Sequence, residues 1–126
     1  MNDIVMDSTS VQESEVTVIR LEQDYRSTQF LKLTRLDAKL HSALEVLPKA
    51  LLLDLSDTTY IGAGFLSVLI RCRTGATSIS CRFALCGLTG FPAEVVTFTR
   101  LNSIWLTYDS RQVAVADLMR IKQPHW

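Results

Sequence analysis

Short runs of aliphatic and β-branched residues alternate along the chain with longer segments in which apolar residues recur every three or four positions. The short runs predict strands, which are commonly about five residues long and favour such side chains. The predicted strands are 16–21, 51–55, 82–86 and 104–108. The second of these is apolar except for Asp54, which is typical of a central strand covered on both faces.

The segments between the predicted strands have the spacing of helices. In the segment 30–47, charged residues separate the apolar ones, and Pro48 ends the helix. The apolar positions of this helix are Phe30, Leu33, Leu36, Leu40, Leu44 and Leu47. The segment 62–74 is apolar over most of its surface, which predicts a largely buried helix with Gly75 as its C-cap.

Two further helices follow. Pro92 falls in the first turn of a helix that carries Val95, Val96 and Phe98. Asp109 or Ser110 caps the final helix. Its predicted inward residues are Ala114, Val115, Leu118 and Met119. Strands that alternate with helices and are joined by short loops predict an α/β domain, with a mostly parallel or mixed sheet of four to five strands and about four helices.

The two ends of the chain differ in composition from this predicted domain. Residues 1–13 are rich in Ser, Asp, Glu and Gln, which predicts a flexible arm. Residues 122–126, which include Pro-His-Trp, are predicted to form a short tail. Residues 14–121 then form one domain, since neither a repeat nor a low-complexity linker indicates a second.

Composition and charge narrow the class of partner. Of the 126 residues, 48% are apolar and 21% are charged, and 13 basic residues balance 13 acidic ones. A chain without net charge has no overall attraction to nucleic acid or to an anionic membrane. No apolar run reaches the roughly 20 residues that a membrane span needs, and the polar N-terminus lacks the features of a signal peptide. We therefore expect a cytoplasmic protein that binds no nucleic acid and does not insert into a membrane.

The cysteines and histidines do not have the spacing of a metal site. Cys72, Cys81 and Cys86 lack the C-x-x-C pattern and are predicted to be buried reduced thiols, as in a cytoplasmic protein. His41 and His125 complete no zinc site with them. The sequence predicts no metal and no other cofactor.

The stretch TTYIGAGFLSVLI places Gly62-Ala63-Gly64 between a predicted strand and a predicted helix. A dinucleotide-binding loop would need a third glycine where Ser67 stands, and an acidic residue where Cys86-Gly87 ends the next strand. Neither a Walker A lysine nor a nucleophilic serine is present. The carboxylates near the loop form no recognisable acid–base pair, so an enzyme is not predicted.

Several roles stay open for this loop. Its glycines permit a tight turn and close packing, while the amides at a helix N-terminus attract a partner carboxylate or a small anion. Phe65 is either a core residue or an exposed docking anchor. Thr58, Thr59 and Ser67 are nearby hydroxyls and therefore weak candidates for phosphorylation.

The segment LLLDLSDTTYIGAGFLSVLI, at 51–70, resembles the signature of the STAS domains, named for sulphate transporters and anti-sigma-factor antagonists. In that family a strand ending in aspartate precedes a turn, an aromatic–aliphatic pair and D-S-[ST]-G-L at a helix start. Asp54, the pair Tyr60-Ile61 and Leu66 fall at the matching places.

Later segments resemble the same family. RFALCGL, at 82–88, is similar to its third core strand and the loop that follows. The stretches 98–101 and 104–109 resemble the end of the next helix and the last strand. The resemblance covers about residues 14–120 and implies a STAS-like fold and a non-enzymatic regulatory module that binds other proteins.

The sequence departs from the family at the position of its switch. In antagonist STAS domains an anti-sigma kinase phosphorylates the Ser or Thr of D-S-[ST]-G, and phosphorylation switches binding off. The corresponding residues here are Gly62, Ala63, Gly64 and Phe65, so the hydroxyl and the carboxylate before it are missing. The resemblance therefore implies a docking module without this phosphorylation switch.

The resemblance also implies the partner, an anti-sigma factor or serine-kinase-like protein that binds the loop 57–65 and the neighbouring loop 87–89. The predicted contact residues are Asp57, Thr58, Thr59, Gly62, Ala63, Gly64, Phe65, Gly87, Leu88 and Thr89. Two alternatives remain open. One is an accessory STAS subunit of a signalling scaffold or lipid-transport complex, and the other is a module that binds a small anion or nucleotide.

Overall fold

The computed structural model describes residues 9–13, 16–26 and 30–120. Its strands are β1 (Thr9–Glu13), β2 (Val16–Arg20), β3 (Asp24–Tyr25), β4 (Ala50–Asp54), β5 (Tyr60–Ile61), β6 (Arg82–Cys86) and β7 (Leu106–Tyr108). Its helices are α1 (Phe30–Glu45), α2 (Ala63–Ser78), α3 (Gly90–Phe98) and α4 (Arg111–Arg120), with a 3-10 turn at Leu101–Ser103.

Within the described residues, the main sheet has the strand order β1-β2-β4-β6-β7. The strands β2, β4, β6 and β7 run parallel, and β1 is antiparallel to β2. A separate short pair, β3 and β5, is also parallel. Since parallel strands share one direction, the segments that follow β4 and β6 leave the sheet at the same edge. The predicted α/β class and mixed sheet are confirmed, and this part of the chain holds the expected four helices.

The core lies on both faces of the main sheet, because successive strand residues point to opposite sides. Leu51 and Leu53 of β4 pack with α1 and α2. Leu52 packs on the other face with Ala114 and Leu118 of α4. All of β4 is buried, as predicted for a central strand.

The prediction of a flexible arm through residue 13 is wrong for Thr9–Glu13. These residues form β1 and pair with β2, with Val11 opposite Val18. Backbone N–H and C=O groups make this pairing, so an edge strand needs no apolar alternation. The rest of the predicted arm, residues 1–8, and the predicted tail, 122–126, lie outside the described residues.

Two predicted helix ends are also wrong. Helix α1 ends at Glu45, and Leu47 beyond it has a left-handed backbone with φ 55° and an exposed side chain. Helix α2 continues through Gly75 to Ser78, so Gly75 is not its C-cap. A Cβ at Gly75 would lie 3.2 Å from Leu44 Cδ1, and glycine therefore allows α1 and α2 to pack closely.

Some predicted inward residues are exposed. Phe30, at the start of α1, and Met119 of α4 both face solvent. A helical step of about 100° carries Met119 off the narrow buried stripe of α4. The last strand starts two residues later than predicted, at Leu106, although Trp105 is buried edge-on against Phe83.

Candidate functional site

The site predicted from the sequence lies in the connection from β4 to α2, residues 55–62, which includes β5. The buried carboxylate of Asp54, at the end of β4, accepts hydrogen bonds from the Ser56 backbone N–H at 2.9 Å and from the Ser56 hydroxyl. The Thr58 N–H then donates to the Leu55 carbonyl at 3.0 Å, which closes a turn. Asp54 therefore orders the start of this connection.

The second half of the connection is held by the chain around β3. The N–H of Thr59 donates to the Gln23 carbonyl at 2.7 Å, and that of Gly62 donates to the Tyr25 carbonyl at 2.9 Å. The hydroxyl of Thr58 donates to the Glu22 carbonyl at 2.6 Å. These bonds fix the path of the backbone up to the start of α2.

A second loop, the β6–α3 loop at 87–89, packs against the turn at Ser56. Gly87 is buried and has a left-handed backbone, with φ 77°. A Cβ there would lie 2.5 Å from the Ser56 hydroxyl oxygen and 2.8 Å from the Ser56 backbone nitrogen. Only glycine fits both the conformation and the space. Its role is to bring the two loops into contact.

Helix α2 begins directly after these loops. Gly62 is its N-cap and contributes no side-chain oxygen, while Ala63, the first helical residue, is exposed. Phe65 is completely buried and stacks on Tyr25, with their ring centroids 4.7 Å apart. Ser67 is exposed on the next turn. Of the two roles open for Phe65, the structure supports the core.

The predicted contact residues divide by exposure. Asp57, Thr59, Ala63 and Thr89 are exposed, and Gly62, Gly64 and Leu88 are half-buried. Three others are buried, namely Thr58, Phe65 and Gly87. Each of these three is enclosed by a neighbouring segment of the same chain; that the ten residues contact a partner stays a prediction.

The charges beside the connection are mostly paired with one another. Asp57 forms an ion pair with Arg20 at 2.9 Å, and Arg26 forms one with Asp24 at 2.8 Å. The side chains of Arg20 and Asp57 are about half exposed, so this pair contributes little to stability. The surface around the loop therefore has no strong net charge.

Sequence reasoning missed an aromatic surface next to the connection. Tyr60 of β5 stacks on Phe91 of α3, with centroids 5.1 Å apart and ring planes 6° from parallel. Phe98, at the other end of α3, is 89% exposed. We call Tyr60, Phe91, Val95 and Phe98, together with Glu94, the aromatic face. The spacing of residues 91, 95 and 98 indicates that they share one face of a helix, but only the fold places Tyr60 beside them.

The described residues offer little reactive chemistry. Burial raises the pKa of Cys72 and Cys86 to about 12 and that of Cys81 to about 11. Thiols with such pKa values are poor nucleophiles. Within the described ranges, no three His, Cys, Asp or Glu side chains come together as a metal site. None of the described helices is long and apolar enough to cross a membrane.

No protein-family model and no curated protein matches the chain significantly. Solved structures do match it. An anti-sigma-factor antagonist (STAS) domain protein from Planctomyces limnophilus has a TM-score of 0.79 at 24% identity, over 91% of this chain and 99% of that one. An anti-sigma factor antagonist from Mycobacterium paratuberculosis has a TM-score of 0.79 at 15% identity, over 89% and 92%.

A third structure is the Bacillus cell fate determinant SpoIIAA in its phosphorylated form. Its TM-score is 0.69 at 14% identity, over 91% of this chain and 99% of that one. These structures match nearly the whole chain at TM-scores well above those of unrelated folds. The chain therefore has the fold of a STAS domain, as the sequence resemblance implied.

Proposed function

We propose that this chain is a non-enzymatic docking module that acts in the manner of an anti-sigma-factor antagonist in a bacterial cytoplasm. Its partner is an anti-sigma factor or serine-kinase-like protein, bound at the exposed residues of the β4–α2 connection and the β6–α3 loop. Support comes from the fold, which is shared with structures of anti-sigma-factor antagonists. The ordered but unreactive loop also favours binding over catalysis.

We further propose that phosphorylation does not switch this docking. One observation carries this part of the proposal. The first turn of α2 holds Ala63, Gly64 and Phe65, none of which has a hydroxyl. The hydroxyl of Thr58 is buried and donates to the Glu22 carbonyl, so a kinase could not reach it without opening the loop. A phosphate, which would add about −1.5 to −2 charges at the helix start, has no attachment point there.

Affinity purification of the tagged chain from its own bacterium tests the class of partner. We expect a serine-kinase-like ATPase of the anti-sigma type, and calorimetry with that purified protein gives the dissociation constant. Recovery of a membrane permease or a multi-copy scaffold would instead favour the accessory-subunit alternative. A thermal shift with nucleotides or anions, and no protein partner, would favour the ligand-binding alternative.

A charge placed at the helix start tests the docking site. Ala63→Glu adds a carboxylate near the position where the family carries phosphate, and a helix N-terminus tolerates an acidic residue. We expect it to weaken binding by at least about tenfold, because a charge at the contact must be desolvated without a partner. The matched control is Ala116→Glu, at an exposed position of α4, which should bind like the unmodified chain. Equal affinity for both variants would show that the start of α2 lies outside the interface.

A further inference from the structure

Helix α3 is apolar on two faces, although the domain covers only one of them. Pro92 and Val96 are buried against the core. Phe91 and Phe98 lie on a second face, where Phe91 is 44% exposed and Phe98 is 89% exposed. Val95, at helical spacing between them, is half-buried and packs against the core at the border of the two faces. A helix that is hydrophobic all round is normally buried, and exposed apolar patches commonly mark interaction sites.

The second face is continuous with the β4–α2 connection. The parallel stack of Tyr60 on Phe91 joins β5 to the start of α3. The guanidinium of Arg26 lies 4.9 Å from the centroid of the Tyr60 ring, on this stack. The stack holds Tyr60 and Phe91 in place before any partner binds, which lowers the entropy lost on binding.

The aromatic face carries one negative charge, which would need a partner once the groove is covered. An open groove along it is lined by Phe91, Ala93, Glu94, Val95, Thr97 and Phe98. Glu94 is the one ionisable side chain of these six, and the described residues place no cation within ion-pair distance of its carboxylate. Arg26, at the edge of the stack, is already paired with Asp24 at 2.8 Å.

We propose that the aromatic face anchors the protein partner of this chain through an apolar segment of that partner which carries a Lys or Arg opposite Glu94. This inference rests on the proposed function and assigns the partner's contact chemistry. Aromatic side chains are the residues that most often dominate binding energy at interfaces. A cation opposite Glu94 compensates the carboxylate when the groove is covered.

The carboxylate of Glu94 also argues against a second copy of the chain or an anionic lipid surface as the molecule that covers the aromatic face. In a symmetric contact between two copies, each face would meet an identical face, and neither groove would supply a cation for Glu94. An anionic lipid surface would be repelled by Glu94 and attracted by nothing in the groove lining. A basic, apolar segment of another protein satisfies both the aromatic residues and the carboxylate.

A photo-crosslinker identifies what covers this face. We would replace Phe98 with p-benzoylphenylalanine in the full chain, in its own bacterium, and use Met119 of α4 as the control position. We expect Phe98 crosslinks to a kinase-like protein, in a peptide that is apolar and contains Lys or Arg, and none from Met119. Crosslinks to a second copy or to lipid, or no more product at Phe98 than at Met119, would overturn the proposal.

Affinity measurements with the crosslinked partner test the two parts of the face. Phe98→Ala should weaken binding by at least about 30-fold, and Glu94→Lys by at least about tenfold. The controls Met119→Ala and Glu45→Lys, both at exposed helix positions, should change affinity by less than about twofold. Replacing the facing Lys or Arg of the partner by Glu should restore binding to the Glu94→Lys variant.

These measurements separate the two proposals. If Ala63→Glu abolishes binding while Phe98→Ala and Glu94→Lys do not change it, the docking function stands and the role of the aromatic face is refuted. If the unmodified chain binds no kinase-like protein at all, the docking function itself is refuted. Thermal unfolding should show that Phe98→Ala is folded, since the side chain it removes is 89% exposed.

Discussion

Gly87 provides a test of how the two loops of the site are held together. Its φ of 77° is left-handed, and an added Cβ would lie 2.5 Å from the Ser56 hydroxyl oxygen, 2.8 Å from its backbone nitrogen and 3.0 Å from its Cα. A hydroxyl can rotate away, but the backbone atoms of Ser56 cannot. Ser56 is itself bound to the buried Asp54 carboxylate, so Gly87→Ala must push the whole turn outward.

Two separate costs determine how much Gly87→Ala lowers the free energy of unfolding. A left-handed alanine costs about 1–2 kcal/mol, and the overlap with Ser56 adds about 1–3 kcal/mol of overpacking. We therefore expect Gly87→Ala to lower the free energy of unfolding by about 2–5 kcal/mol. Gly90→Ala is the matched control, because Gly90 has φ 57° and no atom within 4 Å of its added Cβ. Gly90→Ala should therefore lose only the cost of a left-handed alanine, about 1–2 kcal/mol.

Urea unfolding followed by the fluorescence of the buried Trp105 measures both variants. The expected difference between them, about 1–3 kcal/mol, is the contact with Ser56 alone. If the two alanine variants unfold at the same urea concentration, Gly87 is required only for its backbone conformation. Contact between Gly87 and Ser56 would then play no part in positioning the β4–α2 connection.

Three further predictions concern burial and pH. Thr58→Val removes the buried hydrogen bond to the Glu22 carbonyl and should cost about 1–2 kcal/mol, whereas Thr59→Val, at an exposed position, should cost less than about 0.5 kcal/mol in urea unfolding. Phe65→Ala should cost about 3–5 kcal/mol because its ring is buried against Tyr25, while Phe98→Ala should change stability by less than about 0.5 kcal/mol; comparable losses would contradict the burial assigned to Phe65. The cysteine pKa values are raised above 9.0 in the folded state, so the stability they contribute is complete below about pH 9 and is lost as pH rises toward 11–12. Each of these thiols, Cys72, Cys81 and Cys86, should reduce the free energy of unfolding by roughly 1 kcal/mol at pH 10. Replacing all three by alanine should therefore make the urea midpoint depend less on pH between pH 8 and 10.

The framework of the domain could be predicted from the sequence because it depends on local periodicity. The apolar run of β4 and the leucines of α1 indicate burial wherever the rest of the chain lies. Edge strand β1 escaped prediction because backbone pairing, not side-chain pattern, holds it to β2. The short strand β3 escaped for the same reason.

The missed strand β3 explains why two of the predicted contact residues are buried. In the linear sequence Thr58 precedes a turn and Phe65 is compatible with either a core residue or a docking anchor, but the chain at 22–25 encloses both of them. The stack of Tyr60 on Phe91 joins residues about thirty positions apart, and no local pattern could indicate it. The absence of a hydroxyl at 62–65, in contrast, is a property of the sequence itself.

The proposed function requires that this chain docks a kinase-like partner and is not phosphorylated by it. The most direct test is to incubate the purified chain with that partner and ATP, and then to measure its intact mass and the amount of complex that remains. We expect an unchanged mass and a complex that persists. A phosphate mapped to Thr58, Thr59 or Ser67 would contradict this expectation, and dissociation of the complex with it would show that phosphorylation switches the docking.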